Sequence, residues 1–427
     1  MKTPTGAAAL ARGVALIVFI IATPFGAVAQ DDSDTLRLET ALIMAREANP
    51  TVHAAGLRVD ASLERIPQAG ALPDPMLSLG LVNRDVRSFG MGTAMATNTV
   101  QLTQRLPWPG KLTFAKDRAT HLARAMEHDA REVELGLSAD VKSLYVQMAY
   151  MDRALEILER TRSLLRDFFD VSSSLYAVGN GRQQDVLQAQ VAVATMTEDI
   201  TVVEQNRHAS AGLLNALLGR AVDTPIGALE LPEMGAQLPP LDSLLRIAAA
   251  RRPAYAAAGE RSLAADADLR AAGRAIYPDL TFTLGYGHRP DYSDVVSVMV
   301  GVRLPIWAKW RQLPLRRELE ATRALEDALA VELHNRTASR LGELRAEAVR
   351  AENLVELYET SILPQARAAV EAALSAYRVG SVDFSTLVES QLTVNRYSID
   401  AVRLTADYHR TLAQIEAQIG GQIGGGS

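Results

Sequence analysis

Leu175-Tyr176-Ala177-Val178-Gly179, running on to Gln188-Ala189-Gln190, returns as Ala376-Tyr377-Arg378-Val379-Gly380, running on to Glu389-Ser390-Gln391. Val178 and Val379 are 201 residues apart, as are Gln190 and Gln391. Gly219, which closes Leu213 to Leu218, returns as Gly420 at the same spacing. Upstream, Ala71-Leu72-Pro73-Asp74-Pro75 is echoed by Ala275-Ile276-Tyr277-Pro278-Asp279, and Gln104-Arg105-Leu106-Pro107-Trp108 by Val302-Arg303-Leu304-Pro305-Ile306. Five landmarks in one order indicate a duplication. Its period is far longer than a solenoid repeat, so one structure is built from two like halves.

Each half has the same grammar. Two short helical patterns (36–49 and 51–70; 241–251 and 254–274) come first, then a pair of alternating segments, then a long helical pair. No proline occurs between Gly110 and Thr224, and only Pro364 interrupts 315–427. Within 112–177, Leu137, Val141, Leu144, Met148, Met151, Leu155, Leu158, Leu165 and Phe169 recur at steps of four and three, broken at Arg162. Val186, Ala189, Val193, Met196, Ile200, Val203, Leu214 and Leu217 keep the beat in the next stretch, interrupted by Arg207 and Ser210. That period of about 3.5 residues is the seam of a coiled coil. A helix of ~65 residues is about 100 Å long and needs partner helices along its length. A periplasmic coiled-coil scaffold without a transport role satisfies this pattern as well as a tunnel does.

The alternating segments separate the two. Leu77, Leu79 and Leu81 alternate with Ser78 and Gly80, and Val100 and Leu102 with Thr99, Gln101 and Thr103. In the second half Leu280, Phe282, Leu284 and Tyr286 alternate with Thr281, Thr283, Gly285 and Gly287. Val296, Val298, Val300, Val302 and Leu304 alternate with Ser297, Gly301 and Arg303. Each segment has about the length of a tilted membrane strand, with one oily and one small or polar face. Two hairpins, about 76–106 and 279–304, follow, with the loops 84–96 and 288–294 directed outward. Four strands cannot close a barrel, and lipid does not tolerate open sheet edges, so several chains must share one. Pro73, Pro75, Pro107, Pro109, Pro278 and Pro305 bracket the strands where the chain turns from strand to helix.

The N-terminus sets the compartment. Lys2 and Arg12 precede the apolar run Gly13 to Ile21; Pro24, Gly26 and Ala27-Val28-Ala29 follow. This is the form of a secretory signal peptide over residues 1–29, cleaved after Ala29, with an apolar run too short to span a bilayer. The chain has no cysteine, so neither lipidation of a new N-terminus, nor disulfides, nor thiolate metal sites are expected. Removing 1–29 takes away two positive charges and no acid, making the exported chain more acidic than the −6 of the whole. That balance does not suit nucleic acid. The remaining divisions are a first repeat over 30–220 (long helices 112–218), a linker at 221–240, a second repeat over 241–420 (long helices 313–419) and a glycine-rich tail at 421–427.

At this point the chain resembles the TolC-type outer-membrane efflux family. The resemblance rests on Leu38-x-x-Ala41-Leu42 leading to Asn49-Pro50, on the Pro73-Asp74 and Pro278-Asp279 strand starts, on Leu106-Pro107-Trp108-Pro109-Gly110-Lys111, and on the twice-written Tyr-x-Val-Gly. It implies a mainly α chain with a membrane β-barrel: four strands per chain complete a twelve-stranded barrel in a homotrimer, above a long α-helical coiled-coil barrel in the periplasm. It further implies an inner-membrane transporter and a periplasmic adaptor as partners, with outer-membrane lipid around the strands. The alternative within the same class is a type I secretion exit duct. The Pro-Trp-Pro-Gly-Lys element looks most like the heavy-metal efflux branch.

No catalytic constellation is written in the chain, and neither an enzyme nor a cofactor is expected. The seven histidines are dispersed and read as solvent-facing; His121 and His128, one heptad apart, are too few for a metal site. The eleven methionines read as core filler. Site expectations centre on the helical turns at 178–185 and 379–386. In the family, acids just past this turn ring the periplasmic entrance. The candidates here are Asp185, Asp383 and Glu389, while Thr386 stands where an aspartate is expected and Val382 where some relatives carry a basic lock. Threefold symmetry would triple each carboxylate and raise the cation density at a narrow opening. The plainer role of Asp185 and Asp383 is to favour helix starts. Val178, Gly179, Val379 and Gly380 are assigned to the turn and the adaptor contact, glycine permitting the positive φ that such turns need.

Overall fold

In a computed structural model, residues 36–84, 86, 96–235, 238–290 and 292–423 are described. The signal peptide expected at 1–29, most of the first hairpin loop and the last four residues of the glycine-rich tail lie outside them.

Helix α1 (Leu38–Ala48) meets α2 (Pro50–Leu63) at Asn49, whose side chain accepts a hydrogen bond from the Thr51 amide at 2.8 Å while Pro50 takes the first helical position. Proline costs nothing there, because that amide would be unpaired in any case. The single helix expected over 51–70 is two: α3 (Arg65–Gly70) restarts after Glu64. Pro67 has no amide to return to Leu63, which weakens the helix at that turn. The counterpart in the second half lacks an internal proline. There the junction equivalent to Asn49-Pro50 is Arg252-Pro253, and the second helix runs unbroken from Pro253 to Arg274.

Two hairpins make one antiparallel sheet in the order β1 (Met76–Val82), β2 (Thr97–Leu106), β3 (Asp279–His288), β4 (Val295–Arg303). The registers of the hairpins are identical once the repeat is applied. Gly80 lies opposite Thr99 as Gly285 lies opposite Ser297, and Met76 opposite Thr103 as Thr281 opposite Gly301. In both glycine pairs a hydroxyl oxygen stands where a β-carbon would be, at 2.6 Å and 2.5 Å, so no larger residue fits there without a shift. The hairpins join through β2 and β3, leaving β1 and β4 as free edges.

After β2 comes α4 (Lys111–Ala177), an unbroken helix of 67 residues, and after a turn α5 (Gln183–Leu217). The second half opens with α6 (Leu241–Arg251) and α7 (Pro253–Arg274) and, past the sheet, continues with α8 (Gln312–Leu357). A π-helical turn, Tyr358–Ile362, separates α8 from α9 (Leu363–Arg378), and α10 (Phe384–Ile419) ends the described helices. The π turn follows from Pro364. Its ring would strike the Thr360 carbonyl and its missing amide leaves that carbonyl unpaired; an extra residue in the turn relieves both.

The heptad stripe read from the sequence is the packed face of α4. Leu137, Val141 and Met148 enter a core with Ala41 and Ala45 of α1 and Leu214 of α5. Further along, Leu158 and Leu165 enter a second core with Met196 and Ile200 of α5 and Phe384 and Leu387 of α10. A third core mirrors the first in the other half, through Leu244 and Ala248 of α6, Leu341, Leu344, Ala348 and Ala351 of α8, and Tyr408, Ile415 and Ile419 of α10.

The linker at 221–240 contains neither helix nor strand among its described residues, yet it is bound to both halves. Ile226 and Leu229 complete the first core and Leu238 the third. Arg207, a gap in the apolar beat, is what ties it down: the guanidinium pairs with Asp152 and donates to the carbonyls of Ile226 at 3.2 Å and Gly227 at 2.8 Å. Asp152 in turn accepts from the Leu229 amide at 2.9 Å. On the other side His409, expected among the solvent-facing histidines, is half-buried and held by the backbone of Pro232 and Glu233; burial pulls its pKa below the ordinary value.

Candidate functional site

Strand alternation gathers most of the oily residues of the sheet on one face. Leu79 pairs with Val100, Val100 with Tyr286, and Tyr286 with Val296; one step along, Leu77, Leu102, Leu284 and Val298 form the next row. Nothing within the chain covers this face: Leu79 and Val298 are each 76% exposed, and Leu77, Val296 and Val300 are also open. Each such side chain gains about 1.5–3 kcal/mol on leaving water, so so wide an open patch marks a surface made for an apolar surrounding. The opposite face carries Ser78, Thr103, Thr281, Thr283, Gly285, Ser297 and Gly301, with Gln101 and Arg105 among them and Met76, Val82, Val295 and Met299 on the two edge strands. None of the described helices is long and apolar enough to cross a membrane.

At the helical end of the sheet the two halves are locked by one carboxylate. Asp279, at the start of β3, is buried and accepts from Arg105 at 2.7 Å, from the Lys111 ammonium at 2.7 Å and from the Trp108 amide at 3.0 Å. Trp108 stacks on Tyr277, with ring centroids 5.2 Å apart. The Leu-Pro-Trp-Pro-Gly-Lys stretch of one half thus grips the Tyr-Pro-Asp strand start of the other. Each motif was visible in the sequence, but not that they touch. A buried carboxylate with three donors is fully paired, and removal of one donor leaves desolvated charge behind.

The far ends of the helices carry the expected turns. Both close with a glycine at positive φ, Gly179 at 79° and Gly380 at 71°. The following amides bond back to the helix in the same way, Asn180 to the Leu175 carbonyl at 2.9 Å and Ser381 to that of Ala376 at 3.0 Å. This is the Schellman closure, in which only glycine avoids the left-handed penalty. Val178 and Val379 stand out from the turns, 69% and 78% exposed.

The three acids differ in setting. Glu389 is exposed on α10. Asp185 is half-buried in the first turn of α5; the burial of Tyr377 and, after it, the nearby Asp185 charge raise the Tyr377 pKa. Asp383 precedes α10 but makes no capping bond; its carboxylate pairs at 2.9 Å with Arg182. Arg182 occupies in the first half the position Asp383 occupies in the second, 201 residues on, so one ion pair ties the two turns together. Opposite charges at equivalent positions of a repeat were the sequence signal for it. Of the paired histidine candidates, His121 is engaged by Glu260 at 2.7 Å.

A duplicated chain with long packed helices and strands that present a bare oily face to one side has the build of the helical-barrel class of membrane channels. Comparison with known proteins agrees. The Outer membrane efflux protein family model matches residues 41–220, the first half. The pyoverdine export outer membrane protein OpmQ of Pseudomonas aeruginosa is 26% identical over 339 residues, 75% of this chain and 67% of that protein. Its namesake in Pseudomonas putida is 23% identical over 90% of this chain and 84% of its own length. Among solved structures, the outer membrane protein VceC of Vibrio cholerae superposes with a TM-score of 0.77 over 90% of this chain and 96% of that one, at 17% identity. The outer-membrane channel OprN follows at 0.74 and 18% identity, 90% of each chain being covered. Residues 41–220 thus match the outer membrane efflux protein family, and the chain as a whole has the fold of the TolC-type channels. It is an outer-membrane transport channel and not an enzyme.

Proposed function

We propose that three copies of this chain form a passive duct, with twelve strands closed into an outer-membrane barrel and the long helices continuing as a tunnel into the periplasm. The observation that carries this reading is the four-stranded sheet with two free edges and an uncovered apolar face. Open edges are not tolerated in lipid, and three such sheets close a barrel wide enough for an open lumen. The chain reaches the envelope through the signal peptide at 1–29 and stays unlipidated, having no cysteine. The boundaries 30–220, 221–240 and 241–420 are its two repeats and their linker, with 421–427 a tail.

The turns at 178–185 and 379–386 form the periplasmic mouth. Val178, Gly179, Val379 and Gly380 meet an adaptor protein there, which joins the duct to an inner-membrane transporter. Asp185 and Glu389 supply the acidic ring; Asp383 contributes less, because Arg182 neutralises it. The cargo is a small molecule selected by the pump. Relatives are named for pyoverdine export and, in TtgF of Pseudomonas putida, toluene efflux. A metal-cation cargo rests on the Leu106–Lys111 element alone, and a secreted polypeptide is the alternative cargo.

The test is mass determination and circular dichroism on protein extracted from outer membranes in detergent, followed by conductance in planar bilayers. A helix-rich trimer that conducts is the expected result. A soluble, all-helical monomer or dimer overturns the duct and leaves a periplasmic scaffold.

A further inference from the structure

The seam between β2 and β3 is a template for a second seam that this chain cannot make alone. The hairpin registers fix how the halves superpose: the first strand shifts by 205 residues and the second by 198, since Gly80 opposite Thr99 becomes Gly285 opposite Ser297. Under those shifts Arg105, at the end of β2, becomes Arg303, at the end of β4. Asp279 becomes Asp74, just before β1. Lys111, six residues past Arg105, becomes Lys309, six residues past Arg303. The acid of one edge and the cations of the other are therefore the same residue types that lock the inner seam.

All three are exposed, and among the described residues neither Asp74 nor Arg303 has an ion-pair partner. Lys309 lies over the Trp310 ring at 5.4 Å, in a turn where Ile306, Trp307 and Trp310 are largely uncovered. That turn is longer than the one after β2, so Arg303, fixed on the strand, is the certain half of the pairing and Lys309 reaches in from the turn.

Building on the trimeric duct above, we propose that a second copy of this chain completes the lock: Asp74 of one protomer accepts from Arg303 and Lys309 of its neighbour. The lock sets the register of the β4–β1 seam. Gln104 opposite Phe282, Leu102 opposite Leu284 and Val100 opposite Tyr286 in the inner seam translate into Val302 opposite Leu77, Val300 opposite Leu79 and Val298 opposite Leu81. Leu77, Leu79 and Leu81 of one edge and Val298, Val300 and Val302 of the other then fall together on the lipid face, whereas a slip by one residue would turn one edge's set into the lumen. A charge pair specifies register and partner in this way even where its net contribution to affinity is small.

The experiment uses the full chain, whose natural lack of cysteine gives a clean background. Wild-type mass in detergent is read first; if it is not a trimer, the duct itself fails, independently of the lock. Given a trimer, Leu79→Cys with Val300→Cys should link protomers under mild oxidation, and Leu79→Cys with Val296→Cys, four residues out of register, should not. Asp74→Lys should abolish the heat-resistant trimer band, and adding Arg303→Glu should bring it back. Linking of the out-of-register pair instead, or an Asp74→Lys trimer as heat-resistant as wild type, overturns the proposal. Should both charge variants fail to assemble, the cysteine pairs still decide the register.

Discussion

The two halves of the chain keep one sheet and diverge in their helices. The hairpins share a register residue for residue. In the helical stretch, Leu137, Val141, Leu144, Met148, Met151 and Leu155 of α4 correspond at a spacing of 200 to Thr337, Leu341, Leu344, Ala348, Ala351 and Val355 of α8. Beyond the π turn the spacing is 201, as it is for Val178 and Val379. The π turn is thus one inserted residue, absorbed without disturbing the stripe on either side. Strands had no such freedom. A one-residue change there reverses both faces, and here one face is oily and uncovered while the other is mostly small or polar. A helix carries a wider apolar stripe and can discharge an insertion locally.

The largest expected effect tests the shared strand rule. Val298→Arg and its counterpart Val100→Arg place a cation on the oily face, at about 2–4 kcal/mol per site near the bilayer centre, and should block outer-membrane assembly. Ser297→Arg and Thr99→Arg point the other way and should assemble. Assembly measured by heat-modifiable mobility would break the comparison if the halves responded differently, and would sink the barrel if all four variants behaved alike.

The inserted residue comes next. Deleting Thr360 together with Pro364→Ser gives the second half the spacing and the serine of the first, Ser163, and should leave a folded channel. Deleting Glu159, in the unbroken α4, should shift the stripe by about 100° and abolish expression of folded protein. Equal tolerance of both deletions, read by limited proteolysis, would remove the π turn from this account.

A smaller effect concerns core size. Met148 is fully buried where the second half has Ala348. Met148→Ala should cost about 2–5 kcal/mol, while Ala348→Gly, with far less volume to lose, should cost about 1 kcal/mol through helix propensity. Thermal unfolding in detergent separates them.

The smallest effect is at the mouth. Glu389→Gln with Asp185→Asn should lower cation preference in single-channel recordings. Asp383→Asn alone should change it little, and Arg182→Gln should raise it by freeing Asp383. A selectivity unchanged by the double variant would dissolve the ring. The exposed Arg182–Asp383 pair itself contributes at most about 1 kcal/mol, so stability should barely move.

Much of this was written along the chain. Periodicity of 3.5 and of 2, together with the 201-residue echo, delivered the two halves, both hairpins, the long helices and the glycine turns, because each depends on residues near one another in sequence. Pro67 and Pro364 announced breaks whose form, a restart at Glu64 and a π turn, depends on what the neighbouring carbonyls can bond instead. The linker at 221–240 reads as loose because its anchors, Arg207 and Asp152, lie on two other elements. The grip of Arg105 and Lys111 on Asp279 spans more than 160 residues, and that of Arg182 on Asp383 spans 201. By itself the sequence determined which faces are oily, where helices must stop and that everything occurs twice. Only the tertiary structure decided which charge meets which, because an ion pair is specified by a few ångströms of approach and leaves no periodic trace in the chain.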